Sequence, residues 1–337
     1  MASNVKTKIG ITRKLPKSTL ERMQTLFDVQ MNESDEALSR QGLLNMAANC
    51  TVLCPTVTDN IDHEIIEAGR GNLKLLANFG AGTDHIDIKA AIRAQVVVTN
   101  TPDVLTEDTA DLTLALLLAV PRRIIEGAEL LRAGGYDDGW SPTWMMGRSL
   151  GRKKIGIIGM GRIGQAVALR ARAFGMEVHY HNRRSVSPAI EDDLQALYWT
   201  DMDAMLSEMD FVSLNCPLSQ QTHHLIGAAQ LENMPDHAII INTARGKLID
   251  ETALVEALQA GKLAGAGLDV YEFEPEVSPE LLKMKQVVAL PHLGSSTLEA
   301  RTAMGERMII NIKAFEDGHK PPDRVILGLA GDNTNSN

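Results

Sequence analysis

The sequence predicts an α/β protein built from two parallel-sheet domains. Short apolar runs alternate with helix-patterned stretches along almost the whole chain, the pattern of strand-helix-strand layering. These runs fall into two series, and a glycine-rich turn follows the first run of the second series directly. At 337 residues the chain is long enough for two cores.

In the first series, Lys8–Thr12, Thr51–Cys54, Leu73–Asn78 and Val96–Asn100 read as strands, with helices such as Ser18–Phe27 and Ile61–Ala68 between them. Thr101-Pro102-Asp103 marks a linker. From Thr106, with Glu107 and Asp108 in the first turn, a helix is expected through Leu118, and Pro121 should kink or end it. The second series reads as six strands: Lys154–Ile158, Glu177–His181, Phe211–Asn215, His237–Asn242, Gly265–Val270 and Val287–Leu290. A last helix, from about Ser296 to Asp317, is expected to return to the first domain, so the assignment is residues 1–103 plus 293–337 for one domain and 104–292 for the other. The tail Gly331–Asn337 has a disordered composition.

A lone G-x-G-x-x-G is weak evidence, but here its context is complete. Gly159, Gly161 and Gly164 follow a buried-type strand and open a patterned helix, with a second strand after it. Such glycines allow the tight turn, the approach of a pyrophosphate and close helix-strand packing, and the helix N-terminus faces the anion. The second series is therefore expected to bind a dinucleotide, and the fold to be two Rossmann-like or flavodoxin-like parallel-sheet domains separated by a cleft. Where the second strand would carry a carboxylate for a free ribose 2′-hydroxyl, Asn182 stands instead, followed by Arg183 and Arg184. A unit charge pair at ~4 Å is worth about 1 kcal/mol in water and about 4 at an effective dielectric of 20, a shift of about one to three decades toward NADP over NAD. A merely solvated basic turn would read the same way.

Composition bounds the rest. A 44% hydrophobic and 23% charged content is that of a globular protein, and the net charge of −10 argues against nucleic acid or an anionic membrane as partner. Three cysteines (Cys50, Cys54, Cys216) cannot all pair, and none sits in a zinc-spaced cluster, so the expectations are a reducing cytoplasm and no metal. Cys50 and Cys54 fit better as small core residues than as ligands. No apolar run approaches the ~20 residues that span a bilayer.

Functional residues are sought at the strand ends of the second series, where open α/β sheets place ligands. Asn242-Thr243-Ala244-Arg245-Gly246, Asp269 to Pro275 and Pro291-His292-Leu293-Gly294-Ser295 present Arg, Glu and His along one rim. Structural ion pairing would account for each residue singly, but less readily for all three in this order. His223 and His224, in a polar loop, read as solvated.

With these stretches and with NFGAGTDHID (Asn78–Asp87), TEDTADL (Thr106–Leu112) and NCPL (Asn215–Leu218), the chain resembles the D-isomer-specific 2-hydroxyacid dehydrogenase family over nearly its whole length, most of all the glyoxylate/hydroxypyruvate reductase branch. The resemblance implies a catalytic set of Arg245, Glu274 and His292. It implies NADPH-preferring reduction of glyoxylate or hydroxypyruvate, and a substrate carboxylate bound by the Ala81 and Gly82 amides. Reduction of a carbonyl beside a carboxylate, the chemistry that the family resemblance implies, needs an anion clamp, a hydride donor and a proton donor. The planar arginine fork suits the clamp, and a histidine held by a carboxylate suits proton transfer. Around the cofactor turn the resemblance adds Arg162 and Ile163 to the three glycines and the Asn182–Arg184 loop. Further along it implies cofactor contacts from Thr109, Cys216, Pro217 and Thr222, and from Thr243, Ala244, Asp269 and Gly294, with Asp269 meeting the nicotinamide carboxamide. Trp140 and Trp144 match a tryptophan pair of that branch, one of which reaches the partner subunit's substrate pocket, implying a homodimer; ordinary packing explains them equally well. Within the same fold, formate, phosphite or other D-2-hydroxyacid dehydrogenases remain open, as do corepressor-like proteins that bind a dinucleotide without turnover.

Overall fold

The computed structural model describes residues 6–137 and 139–326. The chain divides into two compact units, Met1–Leu105 with Thr297–Asn337, and Thr106–Ser296. The crossings fall slightly later than the 103/104 and 292/293 expected. Val104 and Leu105 pack on the core of the first unit, whereas the amides of Leu293 and Gly294 are bonded to Asp269 of the second. The tail Gly331–Asn337 lies outside the described residues.

The first unit holds five parallel strands, β1 (Lys8–Ile11), β2 (Asp28–Met31), β3 (Val52–Cys54), β4 (Leu75–Ala77) and β5 (Val97–Thr99), in the order β2-β1-β3-β4-β5. Period-two alternation fills both faces. Ile9, Ile11, Val52, Cys54, Leu75 and Ala77 pack on one face with Met304, Met308 and Ile312 of the helix Leu298–Glu316, and Leu53, Leu76 and Val98 pack on the other with Leu43, Ile65 and Ala91. Cys50 and Cys54 are buried core residues, as expected. The sequence pattern misses β2, a four-residue edge strand with alternate residues in solvent.

The second unit holds seven parallel strands, β6 (Lys154–Ile158), β7 (Glu177–His181), β8 (Ala196–Trp199), β9 (Phe211–Leu214), β10 (Ile239–Asn242), β11 (Gly265–Leu268) and β12 (Val287–Ala289). Their order, β12-β11-β10-β9-β6-β7-β8, is the doubly wound arrangement, with its switch point between β6 and β9. One face buries Ile155, Ile157, Tyr180 and Ile241 under the helices Thr106–Ala119 and Arg162–Ala173. The other buries Val212, Leu214, Ile240 and Leu268 with Leu254 and Leu258 of the helix Glu251–Gln259. The seventh strand, β8, is again a partly exposed edge strand that the pattern misses. No helix among the described residues is long and apolar enough to cross a membrane.

Candidate active site

Each glycine of the turn after β6 meets a different demand. Gly159 has φ +101°, and a Cβ there would lie 2.5 Å from the Cys216 nitrogen at the end of β9. At Gly164 a Cβ would stand 2.1 Å from the Gly159 carbonyl oxygen, so only glycine lets the helix sit this close to its strand. Nothing lies within 4 Å of a Cβ at Gly161. That position opens outward at the start of the helix Arg162–Ala173, where a pyrophosphate fits the helix N-terminus.

Asn182, at the end of β7, is not merely a missing acid. Its Oδ1 accepts the Met160 amide at 2.8 Å and its carbonyl accepts the Tyr198 hydroxyl at 3.1 Å, so it fixes the glycine turn to the basic loop. Arg183 and Arg184 follow, both exposed. The glycine turn and this loop fit the binding of a nicotinamide dinucleotide.

Other residues expected near the cofactor are held in place by the protein itself. Thr222 Oγ1 donates to the Pro217 carbonyl at 2.8 Å and accepts the Ser219 amide at 2.8 Å, which shapes the loop after β9. The Thr113 hydroxyl donates to the Thr109 carbonyl, so in the 2.8 Å contact between Thr113 and Thr243 the donor is Thr243. Thr109 Oγ1 donates to the Gly294 carbonyl at 3.0 Å. Cys216 is no nucleophile at neutral pH, since burial pushes its thiol up to about 11.

Arg245, Glu274 and His292 follow β10, β11 and β12, all within the second unit. Asn242, which the sequence reading did not single out, sets the first turn: its Oδ1 accepts the Ala244 amide at 3.0 Å and its Nδ2 donates to the Arg245 carbonyl at 2.8 Å. An Asn two residues before a turn amide is the available signal for such an Asx turn. The half-buried Arg245 donates from Nη1 to the Ala244 carbonyl at 2.7 Å. Behind it, Gly246 packs so tightly on the next loop that a Cβ would lie 1.8 Å from the Tyr271 carbonyl carbon.

Glu274 Oε2 is 2.9 Å from His292 Nδ1, and its Oε1 accepts the Tyr271 amide at 2.9 Å. Burial alone would raise this carboxyl. The hydrogen bond and charge of His292, the Tyr271 amide and the charge of Arg245 together outweigh it and hold Glu274 below the ordinary glutamate value. With Nδ1 engaged, Nε2 is the ring nitrogen left for proton exchange with a ligand.

His292 itself has φ +56°, a left-handed backbone that β-carbon-bearing residues seldom adopt. Asp269 holds it there. The fully buried Asp269 accepts the Leu293 amide at 2.6 Å on one oxygen and the Gly294 amide at 2.8 Å on the other, while its carbonyl accepts the His292 amide at 2.9 Å. Burial raises the Asp269 pKa even though both amides and the charge of His292 oppose the shift.

In the first unit, the loop after β4 is bracketed by two asparagines. Asn78 Nδ2 donates to the carbonyls of Gly80 and Gly82, each at 2.9 Å, and Asn100 Nδ2 donates to that of Ala81 at 2.7 Å. With these carbonyls turned inward, the amides of Ala81 and Gly82 have no acceptor among the described residues, the arrangement of an anion-binding nest.

Comparisons with known proteins show the family. The family model for the D-isomer specific 2-hydroxyacid dehydrogenase, NAD binding domain, matches residues 114–294, more than half of the chain. The chain belongs to the D-isomer-specific 2-hydroxyacid dehydrogenase family. Accordingly it is an NAD(P)-dependent oxidoreductase. It is 43% identical over 324 residues to a glyoxylate reductase of Thermococcus litoralis, covering 95% of this chain and 97% of that one. Among solved structures it resembles a glyoxylate reductase from Paecilomyes thermophila (TM-score 0.85, 34% identity, 95% and 98% of the two chains covered). It also resembles an NADPH-dependent glyoxylate/hydroxypyruvate reductase from Sinorhizobium meliloti in complex with NADP and malonate (TM-score 0.84, 31% identity, 95% and 97% covered).

Proposed function

We propose that the chain reduces glyoxylate and hydroxypyruvate to glycolate and D-glycerate, with NADPH preferred over NADH. The observation that carries this reading is the His292–Glu274 pair at 2.9 Å, with the charge of Arg245 acting on the same carboxylate. The names of the relatives point to the same substrates.

In this reading Arg245 binds the 2-oxo acid through its carboxylate and carbonyl oxygen, drawing electron density from C2. The Ala81 and Gly82 amides take the substrate carboxylate. The nicotinamide supplies the hydride to C2 when bound. His292 gives the carbonyl oxygen its proton from Nε2 and takes it back in the reverse direction, while Glu274 keeps Nδ1 occupied and the ring in one orientation. Asn182, Arg183 and Arg184 recognise the 2′-phosphate. Trp140 and Trp144 belong to a homodimer contact, with Trp144 reaching a substrate pocket. Trp140 is 76% exposed and Met146 66%, and the Trp144 ring lies 5.5 Å from that of Tyr136, an apolar patch suited to burial by a second copy.

Oxidation of NADPH and NADH, measured over a panel of 2-oxo acids of increasing size, tests this function. Fastest turnover of glyoxylate and hydroxypyruvate with NADPH is expected. If the chain binds the dinucleotide but turns over no 2-oxo acid, it is a binding protein and the catalytic reading fails. Size-exclusion chromatography with light scattering tests the dimer.

A further inference from the structure

We propose that His223, His224 and Glu272, none of which the proposed reaction uses, form a site for one divalent transition-metal ion of the zinc class, a proposal independent of the substrate assignment. One ligand atom from each of the three side chains lies within 4.8 Å of the other two. His224 Nε2 is 2.7 Å from Glu272 Oε1, and the His223 and His224 ring centroids are 4.1 Å apart. Two imidazoles and one carboxylate are the donor set of a borderline-soft divalent ion that keeps water in its remaining positions.

The surroundings hold these donors in place as a metal site requires. Glu272 Oε2 accepts the Glu251 amide at 3.1 Å, and the Glu251 carboxylate in turn accepts the Glu272 amide at 3.0 Å, so backbone and side chain of Glu272 are both fixed. Its side chain is only 10% exposed, which makes this carboxylate costly to leave without a cation. His224 is anchored through its amide to the Lys247 carbonyl at 2.8 Å, with φ +51°. The Asp250 carboxylate stands 4.0 Å from His224 Nδ1, a second negative charge beside the imidazole. His223 is exposed and can turn to close the set.

Ligand bonds of about 2.0–2.2 Å place tetrahedral donors roughly 3.4 Å apart, so an ion would replace the proton between His224 and Glu272 and open that pair by well under 1 Å. Binding would also tie the turn at residues 222–225 to the segment 271–274, whose Tyr271 amide bonds Glu274. Occupancy therefore stiffens the loop that carries the catalytic carboxylate.

The test uses the untagged full-length chain after chelator treatment, titrated with Zn²⁺ by calorimetry and with Co²⁺ by visible absorption. The expected result is one ion per chain, a Co²⁺ spectrum of low coordination number and a higher melting temperature with Zn²⁺. His223→Ala, which alters an exposed side chain, should weaken binding by at least about tenfold. His224→Gln serves as the second variant, with circular dichroism confirming that both fold. Absence of saturable binding, or binding unchanged in both variants, overturns the site and leaves His224–Glu272 a simple ion pair.

Discussion

Replacing Asp269 by Asn changes one oxygen to an NH₂ group and leaves the shape of the side chain intact. The carboxylate now accepts two amides, Leu293 at 2.6 Å and Gly294 at 2.8 Å, from a completely buried position. Asparagine offers one acceptor oxygen, and its NH₂ would face the other N–H donor to donor. A hydrogen bond to a charged group is worth about 1.5–3 kcal/mol net, and an orphaned buried amide costs about 1–3. Relief of the buried charge, which already raises the Asp269 pKa, returns part of this, so a net loss of about 1–3 kcal/mol is expected. The loss falls on the loop that keeps His292 at φ +56°, a conformation that relaxes once its anchor weakens. If it appears wholly as misplacement of the imidazole, kcat for glyoxylate reduction drops about 5- to 150-fold. Steady-state rates at saturating NADPH, with NADPH dissociation constants from fluorescence, measure it. An unchanged kcat refutes the claim that this carboxylate positions the proton donor. A loss confined to NADPH affinity would place its action on the nicotinamide instead.

In the cofactor loop, Asn182→Asp with Arg183→Ala keeps the Met160 acceptor while cancelling the loop's net positive charge, and should lower the NADPH/NADH ratio of kcat/KM by about one to three decades; a constant ratio would show that the loop does not read the phosphate. Gly246→Ala drives a methyl into the Tyr271 backbone and should cost about 1–3 kcal/mol in denaturant unfolding together with most of the activity, so a variant of normal stability and rate would contradict the packing described. Because the pKa of Glu274 is depressed in the folded state, its stabilising contribution is complete above the ordinary glutamate value of about 4.3 and is lost as pH falls through the lower folded value. The melting-temperature gap between the parent chain and Glu274→Gln should therefore close on acidification below that range, and a gap independent of pH would count against it. Arg245→Lys should retain the fold and lose most turnover, since an ammonium cannot reproduce the planar fork; full activity would remove the clamp role.

What could be read from the sequence was what leaves a local signature. Strands buried on both faces announce themselves as apolar runs, and the glycine turn carries its own spacing, so both sheets and the dinucleotide end were legible. The edge strands β2 and β8 were not: β2, DVQM, exposes alternate residues and shows no apolar run, and the four residues of β8, ALYW, follow the helix Pro188–Leu194 so closely that they read as part of it. The rim residues were visible as Arg, Glu and His at strand ends. What fixes them was not: Asp269 reaches Leu293 and Gly294 across a register that sequence alone does not give. Likewise His223 and His224 looked solvated because Glu272, 48 positions on from His224, becomes their neighbour only through the pairing of β10 with β11.

The same cross-strand fastening explains why three residues from separate loops can work as one device. β10, β11 and β12 lie side by side in parallel, so their C-terminal turns emerge at one edge. Gly246 brings the turn after β10 into backbone contact with the turn after β11, and Glu274 then links that turn to the one after β12 through His292. Asp269 makes a second link between the same two turns. Moving any one turn by even 1 Å would break a contact with the next, so His292, the proposed proton donor, inherits its precision from the sheet rather than from its own loop.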